Sequence, residues 1–456
     1  MGTKKKEGID ILDSIGSNIK LDIFNNEIVR ILPKLNFNIN KEWISNKTRY
    51  FFDSLKYQRL KSPLLKDDDG NFNQISWFEA FNLINKQFGT IDSSKIRSIV
   101  GNLTDLESIF LLKKNLTKLG IINIEYESLL KNKNLQIDSD LTSNFLFNTP
   151  LKSIDESDLC LIIGSNFRDE GAMLNVHLLN RLKKGNFKIA YIGPKTQFLY
   201  PVKQLGLTLK TLLQIILGKH TFCKDLKNSK KPLIFIGENL LNQKNGFFLV
   251  SKLKNLSIFQ NNVNFFNTQT SLINFLEITF SKKKNLSKNS KLYYLFNTNL
   301  QNTLPRSKQN FIIYQGHHFT HDAQNSNLIL PGLTFLEKTG MYINLEGIIQ
   351  KNETILNLKT NQRKDSLIYR NIYMFLLKKN QFKYTSFFNM HNILPYLLKK
   401  NLQILNNFNF NNKYLTFNIN FLDSLIKNKY YTTIFEQYSK ILINSNKILK
   451  KHSKFL

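Results

Sequence analysis

Cysteine is almost missing from this chain. Its 456 residues hold only Cys160 and Cys223. Two cysteines without a CxxC neighbour exclude a disulfide framework, a tetra-cysteine cluster and a cysteine-built zinc site within these residues. Cys160 falls inside an apolar run, where a small buried hydrophobe is expected. Uncharged apolar runs of ~18 residues are also missing, so the sequence predicts no transmembrane helix. The first residues, MGTKKKEGIDILDSIGSN, have no apolar core of a signal peptide and no Arg-rich amphipathic character. They read as a protein that works where it is made or was processed before this numbering begins. Several catalytic signatures are missing too: no G-x-S-x-G elbow, no Walker A, no kinase set, no HExxH and no G-x-G-x-x-G.

Acidic residues are outnumbered, 33 Asp and Glu against 64 Lys and Arg, for a net charge of +31. Glycine (19) and proline (9) are scarce while phenylalanine (37) and tyrosine (17) are abundant. The enriched types, Lys, Asn, Ile, Phe and Tyr, share AT-rich codons. The bias is read as drift in an AT-rich, organellar genome plus a solvated or partner-facing basic surface, ahead of a nucleic-acid face. Basic runs such as Lys282–Lys284 lack the interleaved aromatics of an RNA-recognition sheet.

The length allows two or three domains at roughly 100–200 residues each, and 42% apolar content is enough for real cores. Ile19–Phe24 and Glu27–Leu32 flank Asn25-Asn26 as a hairpin. Asp53, Arg59 and Pro63 close a polar, aromatic-rich segment. Trp77–Gln87 has helical spacing with Ser76 as N-cap. Strands are predicted at Ile96–Gly101, Ile121–Glu125, Leu159–Gly164, Lys188–Gly193, Pro232–Gly237 and Leu292–Asn297. Helices are predicted at Asp105–Leu119, Ala172–Lys184, Thr208–Gly218 and Gly246–Lys254, with a loop or insertion at Asn285–Lys291. Strand–helix alternation with glycine-ended strands predicts an α/β fold built on mostly parallel, doubly wound (Rossmann-like) sheets. The expected partition is a small β-rich region at 1–60, α/β lobes at 61–225 and 226–360, and a helical or irregular region at 361–456.

Three places carry polar residues worth weighing. The loop Gly164-Ser165-Asn166-Phe167-Arg168-Asp169-Glu170-Gly171 lies between a strand and a helix, where free N–H groups suit phosphate; a glycine-shaped turn at the sheet's carboxyl edge is the plainer reading. His317, His318, His321 and Asp322 lie within six positions, but Gly316 makes the segment a loop and the default is hydrogen bonding, not metal. Glu337, Lys338, Asn344 and Glu346 surround Gly340 and Gly347. They are read as groups that satisfy loop backbone, with Lys338 neutralising a carboxylate, rather than as an acid/base pair. No residue is assigned a catalytic, cofactor-binding or metal role.

Asp158–Gly206 and Phe311–Gln350, the latter containing LPG and EKTGMYINLEG, resemble the molybdopterin oxidoreductase superfamily. GIDILDSIGSNI, INKEWISNKTRY, LKYQRL, SDLTSNFLFNTPL and IYQGHH together resemble a narrower family, the large iron–sulfur subunit of respiratory complex I. The similarity runs from Gly8 to about Gln350 and weakly into YYTTIFEQYSKIL. The resemblance implies that residues 1–60 are like a cluster-less iron–sulfur domain, followed by lobes of the molybdopterin oxidoreductase type, and a place in the peripheral arm that carries electrons from NADH to ubiquinone, coupled to proton translocation, on the matrix side of the mitochondrial inner membrane. Residues 1–60 hold no cysteine, so the family's ligands cannot be carried over. The expectation is a structural, cofactor-less body from a split gene, with iron–sulfur clusters and FMN in partner subunits. A cysteine-rich, ferredoxin-like polypeptide is the chief partner, with no nucleic acid and no membrane span. The alternatives are a self-contained molybdopterin oxidoreductase and a basic organellar RNA- or ribosome-associated protein.

Overall fold

The computed structural model describes residues 3–131, 137, 141–196, 198–256, 262–279, 290–300, 310–357, 361–377 and 433–452. Lys282–Lys284 and most of the expected insertion at 285–291 lie outside these residues, as does 378–432 of the C-terminal region. The described strands, in chain order, are β1 (Lys4–Ile9), β2 (Asn18–Phe24), β3 (Glu27–Pro33), β4 (Leu64–Lys66), β5 (Phe72–Gln74), β6 (Ile96–Val100), β7 (Ile124–Tyr126), β8 (Leu159–Ile163), β9 (Lys188–Ile192), β10 (Lys203–Gly206), β11 (Pro232–Gly237), β12 (Val263–Phe266), β13 (Leu292–Phe296), β14 (Phe311–Gly316), β15 (Leu328–Pro331), β16 (Gly340–Ile343) and β17 (Ile349–Asn352).

β1–β3 form an antiparallel sheet. Asn25 and Asn26 both adopt positive φ, 48° and 62°, as the two central residues of a hairpin turn whose twist matches its strands. The inner face of this sheet, with Ile19, Leu21 and Ile31, packs with Phe51, Phe335 and Phe435 into a core of its own. A five-stranded sheet follows, all parallel, in the order β10-β9-β8-β11-β12. A seven-stranded sheet has the order β5-β4-β15-β14-β13-β6-β7, in which β4 alone runs antiparallel to the others. β16 and β17 make a hairpin. The central strands β8 and β11 are buried along their whole length, as continuous apolar runs in a sheet covered on both faces must be.

The helices fall where the periodicity places them, at Trp77–Thr90, Leu106–Lys118, Ala172–Lys183, Leu209–Ile216 and Gly246–Lys254. Ser76 and Glu79 close a capping box at the first of them: the Glu79 N–H donates to Ser76 Oγ at 3.2 Å and the Ser76 N–H to Glu79 Oε2 at 2.8 Å. Helices Asp365–Leu377, Ile434–Tyr438 and Lys440–His452 are the described part of the C-terminal region.

Sheet membership departs from the expected lobes at 61–225 and 226–360. β6 pairs in register with β13, Ile96 opposite Leu292, while β11 pairs with β8, Pro232 opposite Leu159. The five-stranded unit is thus inserted between β7 and β13 of the other sheet. Local periodicity marks each strand but carries nothing about which distant strand lies beside it.

Candidate functional site

In the five-stranded sheet the chain leaves β8 for β9 and β10 on one side and returns to β11 and β12 on the other. The boundary between β8 and β11 is a topological switch point, and the crevice beyond the carboxyl ends of such strands is where open α/β sheets bind ligands. Two loops meet there. Gly164 follows β8 with φ +65°, and Gly237 closes β11. A Cβ at Gly237 would lie 2.4 Å from Ser165 Cβ and 2.5 Å from the Gly164 carbonyl oxygen, so the loops touch backbone to backbone.

This chain fills the crevice with its own side chains. Phe167 is fully buried, its ring centroid 5.3 Å from Phe235 and 5.1 Å from Phe266, both edge to face. Glu170 turns back to accept from Ser165 Oγ and from the Asn166 N–H at 3.2 Å. The Arg168 N–H donates to Asn166 Oδ1 at 3.1 Å, tightening the turn. Glu238, at the end of β11, accepts from the Thr268 N–H at 2.8 Å and Oγ1 at 2.9 Å. Burial pushes Glu170 up to about 7, and Glu238 adds to the rise; burial raises Glu238 as well. Two buried carboxylates and an aromatic plug are the wrong lining for a phosphate, which needs free N–H groups and positive charge.

Beside the loop lies a second polar cluster that the sequence did not reveal. Asp10 and Asp13 come from the turn after β1, and Lys47 and Thr48 from the short helix Asn46–Tyr50. Asp10 accepts from the Leu12 N–H at 2.9 Å and from Thr48 Oγ1. Burial, with Asp13 adding, pushes Asp10 up to about 7. Burial opposes the charge on Lys47, yet the carboxyls of Glu436, Asp13, Asp10 and Glu170 together hold its pKa above the ordinary lysine value. Its Nζ donates to the Leu12 carbonyl at 3.3 Å, in the turn after β1.

The other flagged residues are structural in position. His317 stacks on Phe435 (5.1 Å, 5°) and His318 on Tyr438 (5.5 Å, 5°). His318 Nε2–H donates to the Ser54 carbonyl at 3.2 Å, which leaves its Nδ1 to accept from His317 Nδ1–H. Burial keeps both neutral: His317 falls well below its ordinary value and His318 to about 3. His321 instead contacts Asn325, and Asp322 accepts from Thr298 Oγ1 at 2.6 Å. His321 does not join the His317–His318 pair, and no group of three metal-ligating side chains occurs among the described residues. Glu337 takes a two-pronged contact from Arg59 Nη2 at 2.9 and 2.7 Å. Asn344 Oδ1 accepts from the N–H groups of Glu346 and Ile348 at 3.0 and 2.9 Å, and Glu346 accepts from the Leu151 N–H at 2.8 Å. Lys338 donates to Asp105 Oδ1 at 2.8 Å and to Asp365, all three buried. Glu107 beside them is pushed up to about 8 by burial and then by Asp105.

These shifts set a pH dependence. Asp10, Glu170 and Glu107 ordinarily lose their protons near 3.8, 4.5 and 4.5 but keep them to about 7, 7 and 8 in the fold. Between those limits the folded state binds more protons than the unfolded one, so stability falls as pH rises. His317 and His318 act oppositely: the unfolded chain takes up their protons below about 6.5 while the fold refuses them, so stability falls as pH drops below 6.5. Above 6.5 only the carboxyl effect remains. The urea midpoint is expected to decline from pH 6.5 to 8, and Asp10→Asn to reduce that decline. An unchanged slope in the variant would remove Asp10 from the account.

Residues 59–375 match the family model for molybdopterin oxidoreductase. The chain belongs to the molybdopterin oxidoreductase family. Residues 3–53 match the model for the NADH-ubiquinone oxidoreductase NDSU1/NuoG-like 4Fe-4S domain. Among curated relatives of this family member, the NADH-ubiquinone oxidoreductase 75 kDa subunit of Reclinomonas americana is 38% identical over 423 residues, covering 87% of this chain and 61% of the relative. The NADH dehydrogenase [ubiquinone] iron-sulfur protein 1, mitochondrial, of Solanum tuberosum is 34% identical, covering 76% of this chain and 48% of the relative. The mitochondrial 78 kDa subunit of Candida albicans is 32% identical, at 87% and 56%. The chain thus spans about half to three fifths of the length of these relatives. Acetylene hydratase from Pelobacter acetylenicus shares the fold, with a TM-score of 0.57 at 10% identity over 84% of this chain and 70% of the other.

The expectation of a chain without a cofactor is corrected by the 4Fe-4S match. That match, with relatives that are iron–sulfur subunits, points to an iron–sulfur cofactor in this chain rather than in partner subunits alone. The expectation rested on counting thiolates, whereas the match spans the whole segment that forms β1–β3 and the short helix Asn46–Tyr50. The donors are a separate matter. Residues 3–53 contain neither cysteine nor histidine. Cys160 is fully buried in β8, where burial pushes its thiol far up. The side chains of the matched segment do not fit a cluster, and no step is derived through one. The buried carboxyls Glu170 and Glu238 at the β8–β11 edge likewise do not suit the phosphate of a pterin nucleotide in this family member.

Proposed function

We propose that this protein is a subunit of the NADH-oxidising peripheral arm of respiratory complex I, on the matrix side of the mitochondrial inner membrane. In this role it supports electron transfer from NADH to ubiquinone coupled to proton translocation, without itself carrying out a chemical step. The observation that carries the reading is the plugged switch point: a redox-enzyme fold whose ligand crevice is closed by Phe167 between Phe235 and Phe266. Such a body contributes rigidity. It holds the iron–sulfur domain of residues 3–53 against close-packed α/β sheets, where positions are fixed and water is excluded. Its partners are the other complex I subunits, a cysteine-rich, ferredoxin-like iron–sulfur polypeptide among them. The AT-rich residue usage supports an organellar origin, and among the described residues no helix is long and apolar enough to cross a membrane.

The test is depletion. Removing the chain with a specific antibody from a mild-detergent extract of mitochondrial membranes is expected to remove NADH:ubiquinone reductase activity in proportion. Activity that stays in the supernatant contradicts the role. Sedimentation of the chain that shifts on nuclease treatment would favour an RNA-bound protein instead.

A further inference from the structure

We infer that residues 433–452 are a strap that closes over the buried His317–His318 pair and comes away as a unit when those imidazoles take up protons.

The strap consists of the helices Ile434–Tyr438 and Lys440–His452 and belongs to none of the sheets. Its inner side is fixed by three aromatic contacts and a few hydrogen bonds. The Phe435 ring centroid lies 5.2 Å from Phe51 and 5.8 Å from Phe335, and the same ring stacks on His317. Tyr438 stacks on His318, and its hydroxyl donates to the Phe319 carbonyl at 2.9 Å. The Asn299 amide donates to Gln437 at 2.8 Å, and the Ile441 N–H donates to Asp53 at 3.1 Å. The outer side lies in water, with Lys440, Ile441, Asn444, Lys447 and Ile448 exposed. A segment held on one side and outside the sheets is the kind of unit that opens locally, below the free energy of global unfolding.

The pair beneath it has no room for another proton while the strap is closed. His318 Nε2–H already donates to the Ser54 carbonyl, so a further proton could go only to Nδ1, which accepts from His317. Neither ring is hydrogen-bonded to a carboxylate. The charges that bear on the pair are the cations Arg59 and Lys338. Their own acids, Glu337 for Arg59 and Asp105 with Asp365 for Lys338, are taken up in ion pairs. The acids nearer the strap are engaged too: Glu436 accepts from the Thr433 N–H, and Asp322 accepts from Thr298 Oγ1 and the Leu300 N–H. The faces of Phe435 and Tyr438 could attract a cation, but the same rings bar the water that would hydrate it. Both imidazoles are therefore held neutral by burial in the closed form. Once the strap lifts they meet solvent and bind protons below about 6.5, as histidine ordinarily does. The open form then carries up to two more protons than the closed one, so opening is favoured as pH falls through 6.5.

Hydrogen exchange of the intact chain, read by mass spectrometry and corrected for the intrinsic pH dependence of amide exchange, tests this. Two imidazoles of ordinary affinity multiply an opening constant roughly thirtyfold between pH 6.5 and 5.5. Protection of peptides from 433–452 is expected to fall about tenfold or more over that range, while β8 and β11 keep theirs. His317→Gln combined with His318→Gln is expected to flatten this response to about threefold or less, whatever it does to the level of protection. Phe435→Ala is expected to open the strap already at pH 7.5, again with β8 and β11 protected. Strap peptides that exchange only as fast as β8 and β11 at every pH overturn the inference, because the segment then leaves only with the whole fold. Strap protection that ignores pH, or a pH response that survives in the double variant, also overturns it, because the imidazoles then do not govern the opening.

Discussion

Lys338→Met is expected to destabilise the fold by about 3–5 kcal/mol, the cost of leaving buried charge without its partner. Lys338, Asp105 and Asp365 are all nearly inaccessible, and each carboxylate receives one of the lysine's N–H groups. Burial alone would strip the ammonium of its proton, but the two carboxylates together hold its pKa well above the ordinary value. The three residues come from distant places: the start of helix Leu106–Lys118, the loop before β16 and the start of helix Asp365–Leu377. The Gln315 amide donates to Asp365 at 2.8 Å and Ser108 Oγ to Asp105 at 2.6 Å, so neither carboxylate can swing out to water without breaking a second bond. Methionine matches the volume and removes the charge. Urea unfolding of the variant, followed by tryptophan fluorescence, measures the loss. The double change Lys338→Met with Asp365→Asn should recover part of it, since fewer buried charges then go unpaired. A loss under about 1 kcal/mol, the range of an exposed pair, would show that the cluster is hydrated.

Phe167→Ala is expected to cost a similar amount, about 3–5 kcal/mol, for a different reason. No charge is involved. The ring is fully buried, and its removal leaves a cavity between Phe235 and Phe266 at the mouth of the switch point. An apolar cavity of that kind stays dry and takes small aromatic molecules. Benzene or indole added to Phe167→Ala should raise its unfolding midpoint and leave the parent protein unchanged. Phe167→Leu should lose less than the alanine variant. If Phe167→Ala unfolds like the parent, the ring is not filling the crevice and the enzyme-like site is open.

Individual elements are largely legible in the sequence, because the predicted strands are apolar runs, four of them ending in glycine (Gly101, Gly164, Gly193 and Gly237), and the helices show their own periodicity. β8, β9 and β11 start where expected. β7 begins at Ile124 rather than Ile121: Ile121 is buried and Ile122 is 62% exposed, so the apolar run opens in the turn before the strand. What the sequence could not show is pairing over distance. β6 lies beside β13 across nearly two hundred residues, which is why the lobes interleave instead of following one another. Lys338 neutralises a carboxylate as its place beside Glu337 suggests, but one of its two partners, Asp105, lies 233 residues away and nothing local names it. The turn at Gly164 could be read from its glycine, whereas the ring that plugs it could not, since a buried Phe in a loop looks like any other. Residues 3–53 match an iron–sulfur domain, and the resemblance of GIDILDSIGSNI and INKEWISNKTRY points the same way, but with no cysteine or histidine in the segment the residue types name no ligand.

The most direct test of the central claim is a native gel of detergent-solubilised mitochondrial membranes, stained for NADH oxidation and read by mass spectrometry. The account predicts that peptides of this chain peak in the large NADH-oxidising band together with other complex I subunits. Peptides confined to a band of monomer size, away from that activity, would contradict it.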